Sequence, residues 1–174
     1  MTHRIQALLS RRSTFAAGGD TYPFQRIVQL PQDFAMIICT DEFLEGLASC
    51  GFVGDLPEPN PFERLTSAVV GYARKLSSHL PVAYLETDYW GGLGGQAAVV
   101  FSNGFVALPP CQKGNGDSDE TPRRMQLRDY PINRALAHLG VEQTSPIDLF
   151  DSLELGTLRS NEDWLSPPKY LRRH

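Results

Sequence analysis

Basic residues are in the minority in this chain, cysteine is scarce, and no long apolar run occurs. Sixteen Lys and Arg stand against twenty Asp and Glu, for a net charge of −4 over 174 residues. The sequence pI is about 5.5. Binding nucleic acid without sequence preference requires a basic face, so this balance argues against a nucleic-acid partner. It permits a basic protein partner, as most acidic proteins do. The cysteines Cys39, Cys50 and Cys111 are odd in number and far apart. No pair has metal-ligand spacing and no disulfide framework suggests itself, which makes a reducing cytosol the default compartment. The opening "MTHRIQALLSRRS" is basic, but charge interrupts its apolar stretch, which is too short for a secretory signal. Nothing is long enough for a membrane-spanning helix. The expectation is a soluble, cytoplasmic protein without membrane contact.

What is present is enough apolar residue, 41%, to build a core, and the length suits one domain. No internal repeat is visible. Residues 1–20 show little periodicity and end in "AAGGD", so they read as a loosely ordered arm with at most one short helix. The domain proper is then expected over residues 21–174. "FQRIVQLP" and "FAMIICT" read as strands, the second buried. "TDEFLEGLAS" reads as a helix with Thr40 as N-cap and Asp41 and Glu42 in its first turn. "NPFERLTSAVVGYARKLSSHLP" carries the strongest helical pattern. Asn60 is its candidate cap and Pro61 its first residue, with Phe62, Leu65, Val69, Tyr72 and Leu76 along one face. "VAYLETDYW" and "QAAVVFSNGFVAL" predict a three-stranded antiparallel meander with Asn103-Gly104 at its second turn. "PPCQKGNGDSDETPRR" reads as a mobile loop. "DYPINRALAHLGV" reads as a helix ending near Gly140, "SPIDLFDSLEL" as another capped by Ser145, and "SNEDWL" as one more turn. The order predicts an α+β fold: a single domain with an antiparallel sheet and helices packed on one face.

The most unusual stretch is "YLETDYWGGLGGQ", residues 84–96. Alternation along a strand puts Val82, Tyr84, Glu86, Asp88 and Trp90 on one face. The Cα atoms of Glu86 and Asp88 are then about 6–7 Å apart. Two acids so placed can hold a divalent metal or divide acid and base roles, or they simply stand on a wet face. The glycines do not form a phosphate loop. No Lys-Ser/Thr follows them, and "QAAVVF" is a strand pattern where a dinucleotide fingerprint needs a helix. They read instead as a flexible link between strands, or as places where another backbone comes close. Tyr89 and Trp90 beside them suit either a binding surface or ordinary packing.

The remaining chemistry is sparse. His3, His79, His138 and His174 are scattered, with His79 placed at a helix end and His138 on a helix surface. Cys111 is a candidate exposed thiol, and Ser102 and Ser160 lack the context of a nucleophile elbow. The tail "KYLRRH" is a small basic cluster.

Tyr84 to Ala98 follow the pattern Tyr-Ile/Leu-Glu-Thr-Asp/Glu-Tyr-Phe/Trp-Gly-Gly-x-Gly-x-Gln-x-Ala before an apolar strand, with Gly95 at a variable position. Upstream, "LPQDFAMIICTDEFLEGL" has a Leu-Pro, an apolar strand and a Thr-Asp opening a helix. On these two segments the protein resembles small bacterial proteins of the polymorphic-toxin immunity type, a likeness that spans roughly half of the chain. Residues after Cys111 take no part in the likeness. The resemblance implies a cytoplasmic inhibitor that binds a cognate protein toxin and needs no cofactor. Glu86 and Asp88 would be charge contacts, Tyr89 and Trp90 anchors, and Gly92 and Gly94 part of an adaptable rim. The motif would equally serve as a structural turn while other loops meet the toxin. A homodimer stays open. The alternative class is a small metal-assisted hydrolase using Glu86 and Asp88, and a structural or phage-related interaction protein is the third.

Overall fold

The computed structural model describes residues 2–17, 22–90, 93–114 and 126–166. Its centre is the chain's own beginning. Strand β1 (Thr2–Arg11) pairs antiparallel with β3 (Phe34–Ile38) on one side and with β4 (Val82–Trp90) on the other. Beyond β3 lies the short β2 (Ile27–Gln29), and beyond β4 lie β5 (Leu93–Ser102) and β6 (Phe105–Lys113). The order is β2-β3-β1-β4-β5-β6, and every pairing is antiparallel. The residues expected to form a loose arm are therefore largely an interior strand of the sheet, paired on both sides. Their pattern escapes a periodicity test because β1 is buried on both faces: Ile5, Ala7 and Leu9 pack on one side and Leu8 on the other.

The α+β class and the antiparallel sheet are as expected, but the helices lie on both faces. On the first, helices α2 (Asp41–Ser49) and α3 (Ser67–Leu76) cover Leu8, Ile37, Tyr84, Val99 and Phe101. On the second, α4 (Pro131–His138), with α5 (Leu149–Ser152) and α6 (Asn161–Leu165), covers Ile5, Leu9, Met36, Leu85 and Val100. A short helix α1 (Arg12–Ala17) continues from β1. Burying both faces explains why "FAMII" has no polar alternation; all five residues are buried. The sheet's edges are protected differently: β2 has three residues, and β6 carries Pro109 and Pro110. Among the described residues no helix is long and apolar enough to cross a membrane.

Local signals hold in most places. Thr40 caps α2 by accepting the Phe43 amide at 3.0 Å. Asn103 and Gly104 turn β5 into β6 with φ of 52° and 80°, the positive pair a two-residue hairpin needs. Gly140, at φ 77°, follows α4. Three expectations are corrected. The long helix starts at Ser67, capped by Thr66, while Asn60 accepts only the nearby Phe62 amide at 3.3 Å. Asp148, not Ser145, caps α5. The segment read as a mobile loop is strand as far as Lys113, because Cys111 and Gln112 pair with Ala98 and Ala97. Residues 115–124 of that segment, the "KYLRRH" tail and His174 lie outside the described residues.

Candidate binding site

The motif forms the outer ends of β4 and β5, and it presents different chemistry on each face. Glu86 is 8% exposed. Its Oε2 accepts the Glu63 amide at 2.9 Å, and its Oε1 accepts the Arg64 amide at 2.8 Å and the Tyr84 hydroxyl at 2.6 Å. A buried carboxylate needs such donors, and here two of the three come from the loop that leads into α3. Glu86 is therefore a brace for that loop. It does not stand on the wet face that strand alternation suggested. Asp88, two residues on and on the same side, is exposed.

Gly94 and Gly95 are placed by close approach rather than by flexibility. Gly94 and Gly95 belong to β5, paired with Tyr89 and Asp88. Gly94 has φ +133°, and a Cβ there would stand 1.9 Å from the Asp88 carbonyl oxygen. No other residue fits. Trp90 and Leu93 are cross-strand partners at the tip, 74% and 68% exposed. Gly92 lies outside the described residues.

On the opposite face, Thr87, Tyr89 and Gln96 line a cavity of about 210 Å³ closed by residues of the C-terminal helical layer. Its walls are set by a connected polar network. The Thr87 hydroxyl oxygen accepts the Ile5 amide at 3.0 Å and lies 2.9 Å from His3 Nδ1. His3 Nε2 lies 3.3 Å from the Leu155 carbonyl oxygen. A neutral imidazole satisfies all of these at once: Thr87 donates to Nδ1, and Nε2–H donates to Leu155. Burial pushes the His3 pKa below the ordinary imidazole value; positive Arg159 adds to this, and the Leu155 carbonyl opposes it. Gln96 accepts the Ile132 amide of α4 at 3.0 Å and donates to the Tyr89 hydroxyl at 3.0 Å. Asn133, 2% exposed, donates to the Leu127 carbonyl at 2.7 Å and to Asp148 at 2.9 Å, and accepts the Phe150 amide at 2.9 Å. Each of these groups joins two elements, so the cavity is held open by satisfied hydrogen bonds.

Sequence reasoning placed the acids and aromatics of the motif but left His3 among scattered histidines and gave no role to Thr87, Gln96, Asn133 and Asp148. Thr87 and Gln96 sit inside the unusual stretch, and their fixed place there was the available signal. His3 and Asp148 come from the two ends of the chain, and only the fold brings them together. His79 and His138 do not line the cavity: His79 follows α3 and His138 ends α4, both exposed. Ser160 caps α6, and Ser102 pairs with Phe105 at a strand end. Cys111 is half-buried in β6, with its thiol 3.5 Å from the Ala98 carbonyl oxygen. Burial pushes its pKa up, so the exposed-thiol reading is corrected. Among the described residues no group of three or more His, Cys, Asp or Glu is arranged to hold a metal ion.

A second hollow of about 240 Å³ lies on the Asp88 side, with Glu63, Gln112 and Lys113 around it. Compared with protein-family models, with curated proteins and with solved structures, the chain matches none.

Proposed function

We propose that the protein is an immunity-type binding protein that acts in the cytoplasm and neutralises a cognate bacterial toxin by direct binding. The observation that carries this reading is the tip of β4 and β5. Trp90 and Leu93 stand exposed beside the acidic Asp88, on strands whose inner ends are fully buried. A large aromatic on a rigid support is a common anchor of protein interfaces, and a nearby charge directs the approach of a partner. The motif's likeness to immunity proteins supplies the kind of partner, and the net charge of −4 suits a basic one.

The hydrolase reading has less support. It needs Glu86 to meet a metal or a substrate, and both of its oxygens are turned to the Glu63 and Arg64 amides.

The test is co-expression with the protein encoded directly upstream of its gene, assayed for toxicity. A stoichiometric complex that relieves toxicity is expected, and Trp90→Ala should weaken it at least about tenfold, as for an interface anchor. No complex and no rescue would overturn the proposal. A rise in melting temperature with Mn²⁺ that Glu86→Gln abolishes would move the weight to the hydrolase.

A further inference from the structure

The cavity on the Tyr89 face has a chemistry of its own. Three aromatic side chains, Tyr89, Tyr130 and Phe150, line it together with one carboxylate, Asp148. Asp148 Oδ1 accepts the Asp151 amide at 2.8 Å and Oδ2 accepts the Asn133 amide at 2.9 Å. A carboxylate has about four lone-pair sites, so two remain. Among the described residues no Lys, Arg or His forms a salt bridge with it. Aromatic faces attract cations through their quadrupole, and a carboxylate in the same wall adds full charge. The chain already uses one of these rings in this way: Lys113 Nζ stands 3.6 Å from the centre of the Tyr130 ring. Lys113 does not line the cavity.

Size narrows the occupant. Pockets for drug-sized ligands run from about 300 to 1,000 Å³. At about 210 Å³ this one suits the end of a single side chain rather than a nucleotide or a larger cofactor.

We propose that this cavity receives the cationic end of a Lys or Arg side chain carried by the protein partner. The inference rests on the immunity reading and names a contact within it. In this arrangement the aromatic rings surround the alkyl stem and the charge, and Asp148 accepts the terminal N–H. The network through Gln96 and Asn133 holds these groups in place before the partner arrives, so little ordering is needed on binding.

The first experiment titrates the protein alone with n-butylammonium chloride, read by amide shifts around Asn133 and Phe150 in two-dimensional NMR. 1-Butanol is the neutral counterpart. Saturable shifts with the cation, at least tenfold weaker with the alcohol, are expected. Asp148→Asn keeps a carbonyl to cap α5, and Tyr130→Leu removes one ring; each should weaken the cation at least fivefold while the rest of the spectrum stays folded. Equal binding of cation and alcohol, or no saturable shift with either, would overturn the proposal. The second experiment uses the toxin complex. Tyr130→Leu should weaken it at least fivefold, and an unchanged affinity would overturn the proposal while leaving the immunity reading in place. Loss of the immunity reading has a different signature: no toxin complex forms although the cation still titrates.

Discussion

Glu86 is a residue whose meaning changes once its neighbours are known. In the sequence it pairs with Asp88 as an acid on an alternating strand. In the structure it takes three donors, two of them main-chain amides of the loop before α3. Glu86→Gln keeps the shape but turns one NH₂ group toward a donor. Leaving buried partners unsatisfied costs about 1–3 kcal/mol. A loss of about 2 kcal/mol in urea unfolding is expected, and an unchanged midpoint would show the brace to be unimportant. His3 provides the pH-dependent counterpart. Its folded pKa is depressed, so the neutral form favours the folded state. The stabilisation is complete above the unfolded value of about 6.5 and is lost as pH falls through the lower folded value. Wild type should therefore lose stability relative to His3→Gln as pH falls below about 6.5. A difference between the two that stays constant with pH, or grows on acidification in wild type's favour, would contradict this.

At the scale of elements, the boundary of α3 is the informative case. Apolar spacing from Phe62 to Leu76 continues through both loop and helix, because Phe62 and Leu65 are buried from a loop. Periodicity alone thus places the start too early, at Asn60. The side chain that caps the helix is Thr66, which accepts the Val69 amide at 3.3 Å. Removing an N-cap side chain costs about 1 kcal/mol. Thr66→Ala should show that loss in chemical denaturation, while Asn60→Ala should stay within about 0.5 kcal/mol, as for a surface change. The reverse order would restore the earlier boundary. By contrast, α2 and the β5–β6 hairpin were legible because their signals are strictly local: Thr40 before two acids, and Asn-Gly between two strands.

At the scale of the whole molecule, everything depends on β1. It lies between β3 and β4, and it contributes Ile5, Ala7, Leu8 and Leu9 to the two cores. Its buried Gln6 is matched by Asn161 of α6, whose side chain accepts the Gln6 amide at 3.0 Å and donates to Gln6 Oε1 at 2.8 Å. An arm can be removed without loss, but an interior strand cannot. Deleting residues 2–11 should abolish cooperative unfolding in calorimetry. A truncated chain that melts in one sharp transition would mean that the sheet closes without β1.

The α+β class, the meander over β4 to β6 and the caps of α2 and α4 follow from the order of residues, since each depends on groups only a few positions apart. The motif could be located in the same way, but the exposure of Trp90 came only with the structure. What the sequence could not decide is which side of a doubly covered sheet each residue faces, because burial on both sides erases the alternation that reveals a strand. That is why β1 looked like an arm. It is also why the cavity stayed hidden: His3, Thr87, Gln96, Asn133 and Asp148 meet only when the first strand lies beside the fourth and the last helices close over them.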